Sequence, residues 1–428
     1  MARVPGSASP RRRSGSAMKA PLAGVVLSTT ISSLGTGMTM LAIPWFVLES
    51  TGQGVDTGLV VAAEATGLLL GSASGGPWID RLRPRHAALL FDFAAAAMVV
   101  LIPVLHHMDR LPLWLLSTIG LLLGLSRSPG DAARQVLLPD IAQRTGVALE
   151  RVTTAYDAPS QGARTLGAPV AGVVIAAVGA PAALAINALC LILAGLILRF
   201  TVAEAATLEQ RHEGYLHSLA EGFRFLRHDR LLFTILCMIA VTNGLNSGLF
   251  SVLVPTYGQE ILNSSVHVGL IFAASGVGII TGSLLFAWLG VSRRRWPVVV
   301  VCYLIVLGPR SGIFLLEPGL TVLVIVSGLT MLAFGPLNPT LGAVKAERTP
   351  PAYRARVFGA IAAAAMLGMP VGVFAAGVLS DYIGLMPSIA VFTALSAVMS
   401  LCPLVFPAWK EMDRPEGTKI LDQAGSRA

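Results

Sequence analysis

Long apolar runs separated by short polar knots make up almost the whole chain. Runs of spanning length fall at 21–48, 55–77, 87–106, 112–136, 152–178, 180–199, 231–256, 265–290, 296–316, 319–344, 355–379 and 385–408. About 20 apolar residues suffice for a helix to cross the hydrocarbon core, so the pattern predicts an all-α membrane protein of twelve transmembrane helices. Inside such uniformly apolar runs the helical period leaves no mark, and helix faces become legible only where polar residues interrupt them.

The longest interruption, 200–230, divides the twelve runs into two groups of six. It predicts a disordered basic arm over 1–20, an N-terminal six-helix bundle over 21–199, a cytoplasmic linker over 200–230, a C-terminal six-helix bundle over 231–408 and a cytoplasmic tail over 409–428. In the linker, Leu216, Leu219, Phe223 and Leu226 recur at helical spacing among Arg224, Arg227 and Arg230. That spacing predicts an amphipathic helix lying on the inner membrane face. The two groups also repeat. Ala142-Gln143-Arg144-Thr145 precedes Gly167-Ala168-Pro169-Val170 by 23 residues from Arg to Gly, and Ala346-Glu347-Arg348-Thr349 precedes Gly368-Met369-Pro370-Val371 by 20. Each copy stands just before the fifth span of its group, and parallel six-helix repeats around a midplane site are one transporter architecture.

Hydrophobic residues are 54% of the 428 and charged residues only 13%, about half the share usual in soluble domains. This composition marks an integral membrane protein. The net charge of +8 comes with no interleaved aromatics and no nucleic-acid motif, so no nucleic-acid partner is expected. Counting Arg199 and Arg356 with the adjoining inner loops, 26 of the 31 Lys and Arg fall on one side of the membrane, and the outer loops hold one, Arg110. The positive-inside rule then puts both termini in the cytoplasm of a multi-pass cell-membrane protein. The run from Pro21 is too long for a signal-peptide core and has no clear small-residue cleavage site. Cys190, Cys237, Cys302 and Cys402 lie in apolar spans without metal-like spacing and read as packing residues. No metal and no cofactor are expected.

Residues 75–86, Gly-Gly-Pro-Trp-Ile-Asp-Arg-Leu-Arg-Pro-Arg-His, form a tight basic hinge between the second and third spans. Gly76 allows two helix ends to approach, and Asp80 is a lone anion among Arg81, Arg83 and Arg85, able to bond arginine or helix-end amides. This stretch resembles the loop of the major facilitator superfamily that reads Gly-x-x-x-Asp-Arg-x-Gly-Arg-Arg/Lys. Gly76, Asp80, Arg81 and Arg85 match, while Arg83 and Pro84 depart. A decayed counterpart, Gly290 to Trp296, keeps Arg293, Arg294 and Arg295 but no Asp. Within the superfamily the chain is similar to bacterial efflux permeases of the macrolide-exporter and siderophore-exporter kind, over about 18–410. The residues that carry this are Leu34-Gly35, Pro44-Trp45, the hinge with Asp92, Gln135 to Pro139, and Glu221 to Arg227. Exporters of the superfamily often hold Gly-Pro-x-x-Gly-Gly in the fifth span. Here Gly167 is followed by Ala168-Pro169-Val170-Ala171-Gly172-Val173, which keeps Pro169 and Gly172 and loses two glycines. The resemblance implies a twelve-helix fold working by alternating access, with Asp80 as a cytoplasmic latch.

Ionisable residues inside spans are costly unless paired, protonated or wetted, and so mark function. Glu64 stands halfway along the second span, a candidate proton carrier or a permanently protonated structural donor. Asp157, Gln161 and Arg164 make one polar stripe on the fifth span. Arginine keeps its charge, so Arg164 is expected to pair with Glu64 or Asp157 in one conformation. Asp92 is expected to join the hinge with Arg81 or Arg85, and Arg127, Asp131 and Arg134 to neighbour Asp80. Arg310, alone in the ninth span, is expected to snorkel or line an outer vestibule. Thr36 and Met40 share a face of the first span, and Asn243, Asn246 and Phe250 a face of the seventh, as cavity candidates. Polar groups of this kind also serve simply as helix-to-helix hydrogen bonds.

With few charges and apolar walls, the expected substrate is a bulky amphipathic or weakly cationic organic molecule. No Walker loop offers ATP hydrolysis, so export would run on an ion gradient, as proton antiport. A dedicated importer or facilitator of one metabolite, or a siderophore exporter, fits the same fold. A membrane enzyme is disfavoured by the missing catalytic constellation. One chain suffices, so the expected partners are substrate, protons and lipid, and the expected state is a monomer.

Overall fold

A computed structural model describes residues 20–202, 215–289 and 294–413; the side chains of 20, 75–81, 215–218, 352 and 355 fall outside that description. The arm over 1–19, Arg293 and the tail from 414 likewise lie outside the described residues. The helices are α1 (Ala20–Thr51), α2 (Gly54–Arg81), α3 (Pro84–His107), α4 (Leu113–Thr145), α5 (Leu149–Val178), α6 (Ala180–Thr201) and the linker helix α7 (Tyr215–His228). Six more follow: α8 (Arg230–Glu260), α9 (Ser265–Leu289), α10 (Arg295–Leu316), α11 (Leu320–Arg348), α12 (Arg354–Ile383) and α13 (Leu385–Val405). Among the described residues, eleven helices are long and apolar enough to cross a membrane. The twelfth, α4, has 33 residues and is diluted by Arg127, Asp131, Arg134, Asp140 and Arg144 in its second half.

Several helices overrun the apolar stretches that predict them. The fourth continues from 136 to Thr145, where Gly146 enters the left-handed region at φ 65° and stops it. Polar residues keep such a projecting end helical because water satisfies its face. The α2–α3 turn is correspondingly tight. Pro84 takes the first position of α3, where its missing N–H is not needed, which accounts for proline at the place of a family basic residue.

Glycines set the packing in both halves. Gly67 and Gly71 of α2 and Gly120 and Gly124 of α4 face the opposing backbone so closely that most leave no room for a Cβ, as do Gly37 of α1 and Gly167 of α5. The second half repeats both arrangements: α8 and α12 meet through Gly244, Gly248, Gly368 and Gly372, and α9 meets α11 through Gly278, Gly282 and Gly335. Close backbone approach of this kind replaces the hydrophobic drive that lipid removes. The internal repeat is equally visible at the helix ends, where Thr145 Oγ1 donates to the Ile141 carbonyl and Thr349 Oγ1 to the Lys345 carbonyl, both at 2.7 Å.

The amphipathic linker helix lies on protein. Leu219, Phe223 and the fully buried Leu226 of α7 pack with Leu232, Val357, Ala360 and Ile361 of α8 and α12. Glu221 pairs with Arg356 at 2.5 Å, and Phe225 stacks on Tyr353 at 5.6 Å. The expectation of a helix resting on lipid is corrected to this extent: its apolar face is covered by the C-terminal half.

The two halves meet along α2·α12 and α5·α9. At the end opposite the arginine-rich loops, called outer here, Asp381 accepts hydrogen bonds from the first two amides of α2, Gly54 (2.7 Å) and Val55 (2.8 Å). Gln259 Nε2 donates to the Trp45 carbonyl at 3.1 Å, and Ser265 Oγ to the Gly172 carbonyl at 2.8 Å. Gly58 lies against Gly377, and Gly172 against Ser265 and Gly269. This outer end is closed.

Asp381→Ala removes the carboxylate from the positive end of α2. It is expected to raise maleimide labelling, from the outer solution, of a cysteine placed at the buried seam residue Val373. Unchanged labelling would mean that the glycine packing alone holds the seam.

Candidate functional site

The close packing of α2 on α4 brings Glu64 to Arg127. Their Oε1 and Nη1 atoms are 2.8 Å apart. Arg127 Nη2 also donates to Thr39 Oγ1 of α1 at 2.6 Å, and Asn187 Nδ2 of α6 donates to the same hydroxyl at 2.5 Å. Four helices thus converge on one largely buried ion pair. Arg164 is bonded to neither expected partner: its closest carboxylate is Asp131 of α4, at 4.0 Å, with both side chains nearly half exposed. The expected Glu64–Arg164 pair is therefore corrected to Glu64–Arg127, because the glycine faces of α2 and α4 decide which charges meet. Asp157 and Gln161 are exposed.

A second buried pair lies towards the inner end. Arg134, 1% exposed, reaches Asp92, 4% exposed, at 2.5 Å, and Asp131 at 3.4 Å. Of the partners expected for Asp92, Arg85 instead donates from Nη2 to the Arg199 carbonyl, and the Arg81 side chain lies outside the described residues. The latch residues Gly76, Asp80 and Arg81 lie in α2, with side chains outside the described set. In the C-terminal half the inner end is held by Arg295 on Glu347, bidentate at 2.7 and 2.8 Å, and by Arg348 on Asp229 and Glu411. Each of these inner-end contacts joins residues of one half.

A cavity of about 550 Å³ opens in the C-terminal half, lined by α8, α9, α10, α11, α12 and α13. Three of those helices are broken beside it. In α8 residues Leu249–Leu253 form a π-helical turn, a distortion frequent at functional sites. In α10 the regular helix stops at Val306, before Gly308-Pro309, and in α11 at Leu332, before Phe334-Gly335-Pro336. These breaks aim polar groups inward. Asn243, Asn246 and Asn338 line the space with Arg310 and Lys345, against Tyr303, Phe334 and Phe358. Arg310, 8% exposed, donates from Nη1 to Asn246 Oδ1 at 2.6 Å, and its guanidinium carbon lies 3.6 Å from the Phe250 ring centre. The expectation that Arg310 snorkels outward is overturned: the Gly308-Pro309 break turns it to the interior.

Of the cavity candidates, Asn243 and Asn246 line this space, while Phe250 is outside that lining and lies against the Arg310 guanidinium. Thr36 bonds within its own helix, to the Ser32 carbonyl at 3.0 Å, and Met40 is half exposed; neither they nor Gln161 line it. Gly167 packs on α1, and Pro169 and Gly172 sit in the outer seam against α9, so the fifth-span motif is where the halves touch. Asn338 and Lys345 escaped the sequence reading, and Arg127 and Arg310 were assigned other roles in it. Paired Gly-x-x-x-Gly spacings in spans two and four point to Arg127, and Gly-Pro breaks at matching places in spans nine and ten point to the others. Among the described residues no cluster of His, Cys, Asp or Glu could hold a metal ion.

A family model for the Major Facilitator Superfamily matches residues 25–316 and 239–426. The chain belongs to this superfamily. It is 28% identical over 406 residues to the multidrug efflux pump Tap of Mycolicibacterium fortuitum, covering 92% of this chain and 98% of that pump. It is 27% identical over 408 residues to the multidrug efflux pump Tap of Mycobacterium tuberculosis (strain ATCC 25618 / H37Rv), covering 94% and 97%. Among solved structures, the nucleoside transporter NupG superposes with TM-score 0.70 at 13% identity, over 90% of this chain and 98% of its own. The human organic anion transporter MFSD10 does so with TM-score 0.63 at 17% identity, over 92% and 100%. At these identities the superpositions show the shared twelve-helix fold. The protein is a multi-pass membrane transporter.

Arg134→Leu strands Asp92 in an apolar interior. It is expected to destabilise the detergent-solubilised protein by about 3–5 kcal/mol, read by thermal unfolding, and Asp92→Asn added to it should recover a substantial part. No recovery in the double variant would show that packing, and not the unpaired charge, carries the loss.

Proposed function

We propose that this transporter exports a small amphipathic organic compound from the cytoplasm by alternating access, driven by proton antiport. The observation that carries the reading is the cavity: about 550 Å³, within the size range of drug-sized ligand sites, with aromatic and aliphatic walls and a few convergent polar groups, in a chain closed at its outer end. Near full-length similarity to multidrug efflux pumps supports export, and the arginine-rich inner loops support a cytoplasmic orientation of both termini.

Glu64 is the proposed proton carrier. When ionised it holds Arg127. A proton taken up at its carboxylate removes the countercharge and leaves a permanently charged guanidinium in an apolar setting, hydrogen-bonded only to neutral groups, the carboxyl and Thr39. Such a charge strongly disfavours the arrangement that buries it. Asp131, one turn along the same helix from Arg127 and already near Arg164, is the acceptor to which the released guanidinium can swing. Protonation thus favours a different packing of α2 on α4, and the halves, joined along α2·α12, move with it. Asp80 at the inner hinge is proposed to latch the opposite, inner-closed state. Substrate, protons and lipid are the partners this scheme needs, and one chain is enough.

The test is accumulation, in cells expressing the protein, of three fluorescent compounds that are anionic, neutral and cationic, with and without a protonophore. Lower accumulation of at least one of them, abolished by the protonophore and by Glu64→Gln, is the expected result. Uptake of a compound down its own gradient, insensitive to the protonophore, would favour the facilitator reading that the two missing fifth-span glycines suggest. Export that persists in Glu64→Gln would remove Glu64 from the coupling step.

A further inference from the structure

The cations of the two halves are treated differently. In the N-terminal half, Arg127 and Arg134 each rest on a buried carboxylate at hydrogen-bond distance. Around the C-terminal cavity no carboxylate appears in the lining, yet Arg310 and Lys345 both face it. Arg310 forms no ion pair among the described residues. A guanidinium carries five N–H donors and cannot discard its charge. Asn246 takes one of them, the Phe250 face offers a weak electrostatic contact, and Nε is buried without a hydrogen-bond partner. Burying a cation with so little compensation is unfavourable, and the break at Gly308-Pro309 stands directly before it.

We propose that Arg310, backed by Asn246, is the recognition point for an anionic group, so that the compound carried is an amphipathic organic anion. Its oxyanion meets Arg310 at the deep end of the cavity, and its apolar body lies against Tyr303, Phe334 and Phe358. Lys345, three residues from the inner end of α11 and 5.8 Å from the Phe358 ring centre, stands at the mouth and draws the anion in. Loading supplies the countercharge that the fold withholds from Arg310. The proposal keeps the amphipathic and departs from the weakly cationic alternative of the sequence-based expectation: a cation entering here would meet two like charges and no acid in the lining.

The inference rests on reading this cavity as the transport site, and it is tested by binding, which needs neither a gradient nor a direction. The purified full-length protein in detergent is titrated with 1-pyrenebutyrate, its methyl ester and 1-pyrenebutylamine, which share one apolar body and differ in charge, each against an empty-micelle blank. The butyrate is expected to bind about 10–100-fold more tightly than the ester, as one or two hydrogen bonds to a charged group imply, and the amine no better than the ester. Arg310→Gln is expected to remove that preference and Arg310→Lys to keep part of it, both in protein that elutes as a single species. Equal binding of butyrate and ester by the unaltered protein would overturn the proposal, as would a preference that survives Arg310→Gln. Loss of the preference in Arg164→Gln instead would move the anion site to the other half and overturn it too. Failure of efflux in cells would leave these titrations intact, and failure here would leave export of other compounds standing.

Discussion

Close approach of helix backbones through glycine faces is the constraint on which the arrangement depends. In lipid the tails are as apolar as the side chains, so helices gain little by burying leucine and must fit together through short-range contact and polar bonds. Gly67, Gly71, Gly120 and Gly124 therefore do more than pack α2 on α4: they fix which residues face one another. Glu64 meets Arg127 because these four glycines set the register. The same device in α8 and α12 supports the helix that carries Asn243, Asn246 and Phe250.

From that shared scaffold the halves diverge in charge. The N-terminal half compensates its buried arginines internally with Glu64 and Asp92, which makes it a place where a proton can change the balance without any ligand. The C-terminal half leaves Arg310 with one asparagine and an aromatic face, and breaks three helices around the space in front of it. In the proposed mechanism, this divergence separates an ion-responsive half from a ligand-facing one. Coupling then requires that the halves move as bodies, and the seams α2·α12 and α5·α9 are where a change in one is felt by the other.

Much of the fold was legible because hydrophobic run length and arginine placement are one-dimensional signals. Twelve runs, a long break after the sixth and basic residues at alternate loops carry the architecture without any knowledge of packing. Partner choice was not legible in the same way. Arg164 stands on a polar stripe with Asp157 and Gln161 and looks like the natural partner of Glu64, but helix rotation inside an apolar run leaves no periodic trace. Arg310 was misread for a related reason. Its position along the span suggests an outer vestibule, and only the bend introduced by Gly308-Pro309 directs it inward. The glycine spacings and Gly-Pro pairs are present in the sequence, and their meaning depends on the helix each one faces.

The outer closure also bears on how such a carrier can open. Its polar fastening is sparse: an exposed carboxylate on two helix-end amides, one glutamine on a carbonyl and one serine on another. None of these is a buried ion pair, whose rupture would leave a charge stranded in lipid. The remainder is glycine against backbone together with apolar side chains such as Trp45, Val60, Val268 and Val373, which gain contact energy but hold no charge. A seam built this way can part at modest cost, so the closed and open forms can lie within a few kcal/mol of each other, the condition for a small bias to shift the population. The strong pairs, Arg134–Asp92 and Arg295–Glu347 among them, are kept within one half, where alternating access does not need to break them. Rigidity is thus assigned to the bundles and reversibility to the surface between them.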